Sequence, residues 1–170
     1  GSDVLLVSMP FTGADAISYD FGFKSWDGWS LASSDLLKKS HAYLHGVFEL
    51  FDTGNSHYIR YFIDNAVVSA HKLKKQYQSI NYLGLSGGET TGLYTCSLLR
   101  DMLDSCVLVA GVMPVKLRST PKNFGDAEQI SAALHKRVNI FKVISDISVS
   151  GAKLTLLYNS NDNCCFPGDS

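Results

Sequence analysis

No apolar run in this chain approaches the roughly 18 residues a helix needs to cross a bilayer, so no membrane span is expected. Positive charge is equally thin. Fifteen Lys and Arg face 16 Asp and Glu, for a formal net charge of −1. The most basic stretch, HKLKK at 71–75, reads as the solvated face of a helix. A nucleic-acid partner needs a concentrated positive surface and is not expected. Cysteine is scarce, with four residues. Cys164 and Cys165 are adjacent, without the two-residue gap of a zinc knuckle, so no metal site is expected there. Cys96 and Cys106 lie in apolar surroundings, where buried free thiols are the expectation and a disulfide between them the alternative. Neither G-x-G-x-x-G nor G-K-[ST] occurs, and no cofactor is expected.

What is present suits a globular domain. The chain has 170 residues, 45% hydrophobic and 18% charged, which is one domain by size and far from a disordered composition. Gly1-Ser2 reads as the remnant of a removed tag, and the compartment in which the protein resides is left open. Asp3 to Met9 (DVLLVSM) is an apolar run halted by Pro10, which predicts a strand buried on both faces. Residues 10–32, rich in Gly, Asp and aromatics, predict loop, and Ser33-Ser34 predict the cap of a helix over about 35–51. A second helix, about 57–77, places Tyr58, Phe62, Val68 and Leu73 near one stripe. Then follow a strand over 80–85, a helix over 90–103, a strand over 105–112, a helix over 126–135, an ambiguous stretch over 136–150 and a strand over 153–158. Strands alternating with helices predict an α/β layer fold with a mainly parallel sheet.

One short stretch concentrates the chemistry. NYLGLSGGETTG, residues 81–92, matches G-x-S-x-G at Gly84, Ser86 and Gly88, with a strand expected before it and a helix after. That is the setting of a nucleophile elbow, in which a sharp turn holds a serine exposed at a strand tip. Small neighbours are needed where strand and helix nearly touch, and the helix N-terminus favours a developing negative charge. A Gly-rich phosphate-binding turn is the competing reading.

The segment NYLGLSGGETTGLY resembles the elbow of α/β-hydrolases, closest to a bacterial group of largely uncharacterised members. Glu89 stands where that group has a further glycine. The resemblance extends to SHAYLHGVFEL, YIRYFID, GDAEQ at 125–129 and YNSNDNCCF at 158–166. It implies a three-layer α/β-hydrolase-like fold with helices on both faces of the sheet, spanning residues 3–170 as one partial domain, truncated at both ends. It further implies an acyl-ester or other small-molecule substrate, with Ser86 as nucleophile and Asp162, after the last strand, as the acid of the triad. An Asx turn is the competing role for Asp162, and Asp146 is the alternative acid. The oxyanion donors implied are the amides of Gly87 and of Phe11 or Thr12. Glu89 and His41 are implied as pocket residues, with a structural role competing for His41. His57, His71 and His135 read as helix-surface residues, and NCCFPGDS after Asp162 contains no histidine. The expectation is therefore a triad histidine outside this chain and a serine hydrolase that is weak or inactive as it stands. The alternative is a catalytically inactive hydrolase fold serving as a binding or assembly module. Substrate identity and oligomeric state are not legible.

Overall fold

The computed structural model describes residues 2–10, 48, 51–53, 55–111, 125, 127–159 and 161–162. The expected loop over 10–32, all but Pro10, and most of the helix over 35–51 lie outside them.

Among the described residues the elements run α1 (Arg60–Leu73), β1 (Asn81–Leu85), α2 (Gly87–Leu98), β2 (Ser105–Val109), α3 (Ala127–Ile130), α4 (Ala132–Arg137), α5 (Ile140–Val149) and β3 (Lys153–Leu157). The three strands form one parallel sheet in the order β1-β2-β3. Leu85, Val109 and Leu157 stand in register at its C-terminal edge. The α/β class with a parallel sheet is thus observed.

Even-numbered strand positions face the helices. Tyr82 and Leu108 close over Gly92 of α2, where a β-carbon would come within 2.5 Å of the tyrosine ring and 2.9 Å of the leucine. Leu154 and Leu156 pack with Val143 and Ile144 of α5 around the fully buried Ile147. Cys96 and Cys106, both buried in this core, are joined as a disulfide that ties α2 to β2. The expected buried free thiols are thus corrected, and the alternative, a disulfide, is what the structure shows. The opposite face carries no helix among the described residues. Leu83 is 74% exposed and Leu85 67%, and the described helices that pack on the sheet, α2 and α5, share the other face. Two right-handed crossovers advancing in the same direction necessarily place both helices on one side.

Two local expectations are corrected. Asp3–Met9 is not a strand in this structure, and Val4 and Leu6 are well exposed. An apolar run becomes a strand only where it pairs, and this segment is instead tethered by side chains. The Tyr77 hydroxyl donates to Asp3 Oδ2, and Met9 Sδ lies against Gly87. The stripe begins as expected with buried Tyr58, just before α1, and Phe62 within it, but Ile63 and Ala70 continue it and Val68 is exposed. The ambiguous stretch resolves into α5, whose N-cap Asn139 accepts from the amides of Phe141 and Lys142.

Candidate functional site

Ser86 is the residue between β1 and α2, and its backbone is the most informative feature of the molecule. At φ 55° and ψ −118° it lies in a region that L-residues rarely occupy. A serine preceding a helix ordinarily turns its hydroxyl onto the amide two or three residues on. Ser86 makes no such cap bond, and it is exposed. The turn is held by backbone instead. Ser86 N–H donates to Val109 O at 2.8 Å, and Ser86 O accepts from Glu89 N–H at 2.9 Å and Thr90 N–H at 3.2 Å.

The flanking glycines have separable reasons. A β-carbon on Gly84 would stand 2.2 Å from Gly88 O, so the strand and the first turn of α2 touch backbone to backbone. At Gly87 it would meet Glu128 Oε1 at 2.6 Å and Met9 Sδ at 3.0 Å, whereas Gly88 has open space. The G-x-S-x-G spacing therefore reflects a steric need at Gly84, joined by Gly87, and none at Gly88.

A second tight point lies on β2. Ala110, at φ 57°, and Ser86 are the two non-glycine residues with positive φ among those described, and both sit just past neighbouring strand ends. Gly111 follows, with no room for a β-carbon between Ser86 O at 2.2 Å and Glu89 Cβ at 2.8 Å. Thr90 Oγ1 donates to Gly111 O at 2.8 Å, which binds the first turn of α2 to the end of β2.

Glu89 is 0% exposed beneath this junction, so it does not form an open pocket wall. Its position in the first turn of α2 suits a carboxylate, since the helix N-terminus carries partial positive charge. The Tyr158 hydroxyl, just past β3, is pushed upward in pKa first by burial and then by the charge of Glu89. Asp162 is half-buried and lies five residues beyond the end of β3. Two strand spacings separate β1 from β3, roughly 10 Å. The Asx-type bond in this loop belongs to Asn159, whose Oδ1 accepts from Asn161 N–H at 3.0 Å. Asp146 lies elsewhere. It pairs with Lys142 at 2.9 Å and lines a shallow hollow with Arg100 and Ser150, toward the N-terminal edge. Phe11, Thr12, His41, Cys164 and Cys165 lie outside the described residues.

The described histidines are engaged away from Ser86 or remote from it. His71 is exposed in the last turn of α1, and His135 Nε2 is 3.2 Å from Gln129 O. His57 corrects its helix-surface reading, because it precedes α1 and its side chain is only 9% exposed. It stands between Asp52 and Ser131, an arrangement that resembles a triad in composition alone. Ile59 N–H donates to Nδ1, which leaves Nε2 to carry the proton of the neutral ring. That same Nε2 faces both Ser131 Oγ at 3.3 Å and Asp52 Oδ2 at 3.7 Å. A general base must offer the serine a bare nitrogen while the other nitrogen holds the acid. Here one protonated nitrogen serves both, and Ser131 Oγ is already accepting from Leu134 N–H to cap α4. This cluster is a structural joint.

Among the described residues no group of His, Cys, Asp or Glu is arranged to hold a metal ion, and no helix is long and apolar enough to cross a membrane. No family model matches the chain, and no curated protein or solved structure matches it.

Proposed function

We propose that the protein is a serine hydrolase that cleaves small acyl esters, with Ser86 as its nucleophile. The observation that carries this reading is the conformation of Ser86, a strained turn whose hydroxyl is exposed and not spent on capping the helix behind it. Such strain costs about 1–3 kcal/mol and persists where function or surrounding structure demands it. In the proposed mechanism Ser86 Oγ attacks the ester carbonyl carbon while a histidine outside the described residues takes its proton. The Gly87 amide, at the positive end of α2, donates to the oxyanion. The alcohol departs with the histidine's proton, and water then releases the acid from the acyl-serine. Asp162 is the acid of the triad in this scheme, on the ground that it follows the last strand, β3, in the chain.

The inactive-module reading is favoured by one observation, that the described histidines have other partners or lie far along α1. Fluorophosphonate labelling of the full-length protein separates the two. The expected result is a single adduct on Ser86, with ester turnover in Ser86→Ala reduced at least about a hundredfold and an unchanged melting temperature. Turnover in Ser86→Ala within a few fold of wild type would remove Ser86 from the mechanism.

A further inference from the structure

GDAEQ at 125–129 has no role in the mechanism above, yet it lies against the elbow. Gly125, at φ 96°, turns the chain into α3, and a β-carbon there would collide with Gln129 Oε1 at 2.1 Å. Ala127 is anchored because its carbonyl accepts from the Tyr58 hydroxyl at 2.7 Å. Tyr58 in turn donates its amide to Asp52 Oδ1 at 2.7 Å. Ser131 N–H donates back to Ala127 O at 3.1 Å, and Ser131 is the residue joined to His57. The start of α1 and the α3–α4 segment thus form one braced unit. Projecting from it, Glu128 is 1% exposed and seats its Oε1 on the side of Gly87 where a β-carbon would stand, where Met9 Sδ also lies close.

We infer that Glu128 is a positioning residue for the Ser86 site, holding the first turn of α2 in place through Gly87. This rests on the reading of Ser86 as a nucleophile, because Gly87 supplies the amide that faces the oxyanion. The mode of action follows from the sign of its charge. A carboxylate beside an oxyanion opposes the developing negative charge, so Glu128 does not act by stabilising it. Its contribution is steric and directional. It fills the space beside Gly87 and transmits the rigidity of the braced unit to an amide whose placement to within a fraction of an ångström governs rate. A neutral side chain of the same shape therefore serves as well.

The test uses Glu128→Gln, Glu128→Asp and Glu128→Ala in the full-length protein. Two readouts are taken, the rate of fluorophosphonate labelling at Ser86 and hydrogen exchange of the Gly87–Glu89 amides. Glu128→Gln is expected to stay within about threefold of wild type on both. Glu128→Ala is expected to label at least about tenfold more slowly and to exchange at least about tenfold faster at those amides. Glu128→Asp, which withdraws the carboxylate by one methylene, should move both in the same direction and decides the matter if the alanine variant does not fold. Unchanged labelling and exchange in the shortened variants overturn the inference, as does a glutamine variant as impaired as alanine. If the wild type is not labelled at all, the nucleophile reading fails, while the exchange measurement still decides whether Glu128 holds Gly87.

Discussion

Ser86 and Gly84 are two halves of one local problem. The chain must reverse from β1 into α2 within a single residue, so Ser86 takes the strain in its backbone and Gly84 removes the obstacle. Substituting Gly84 by alanine sets a methyl carbon 2.2 Å from Gly88 O, a backbone atom that cannot swing aside. Separation of strand and helix is then the only relief. We expect Gly84→Ala to lower the unfolding free energy by about 3 kcal/mol, near the upper end for overpacking, as measured by urea denaturation. Gly88→Ala, which meets nothing within 4 Å, is the control and should lie within about 1 kcal/mol of wild type. Equal losses in the two would show that the tight approach is not the reason for the glycine.

Among the elements, α2 and β2 are bound to each other at three heights. Ser86 N–H reaches Val109 O, Thr90 Oγ1 reaches Gly111 O, and the Cys96–Cys106 bond closes the far end. The helix that follows Ser86 is thereby fixed to the central strand along its length. The disulfide spans a sequence separation of 10 residues, and a loop of that size constrains the unfolded chain by roughly 3 kcal/mol. Alkylation of the denatured protein without reductant should therefore leave Cys96 and Cys106 unmodified. The doubly substituted Cys96→Ala, Cys106→Ala protein should melt about 10 °C lower. Recovery of both cysteines as alkylated thiols would show that the pair is reduced in the protein as prepared.

At the scale of the molecule, the buried phenols are expected to weaken the fold at alkaline pH. Tyr94, buried in the second core cluster with Tyr58 and Phe62, has its hydroxyl pushed up to about 12 by burial and then by neighbouring Tyr58. Its unfolded value is near 10. The stabilisation is therefore fully present below pH 10 and is lost as pH rises from 10 toward 12, where the unfolded chain ionises and the folded one does not. Tyr82, also raised by burial, acts in the same direction. The unfolding free energy from urea denaturation should fall over this interval, by about 2–3 kcal/mol for Tyr94 alone. In Tyr94→Phe the fall should be correspondingly shallower. A profile unchanged by that substitution would assign the alkaline transition to other groups.

The sequence by itself determined the elements whose signals are local. Apolar runs bounded by turn residues gave NYLGL, SCVLV and KLTLL as strands to within three residues at each end, and alternation with helical segments gave a parallel α/β sheet. Spacing alone also located the tight turn at Ser86, because the glycines that permit close approach must be its neighbours in the chain. Tertiary structure decided whatever depends on partners distant in sequence. DVLLVSM has the composition of a buried strand, but pairing is not a property of a segment, and here side chains tether it instead. His57 reads as a surface residue until Asp52 and Ser131, the latter 74 residues away, enclose it. Glu128 carries no signal of its contact with Gly87, since 41 positions separate them and only the fold brings the carboxylate to that glycine. Short-range sterics are written in adjacent letters, whereas burial and contact arise from the packing of the whole chain.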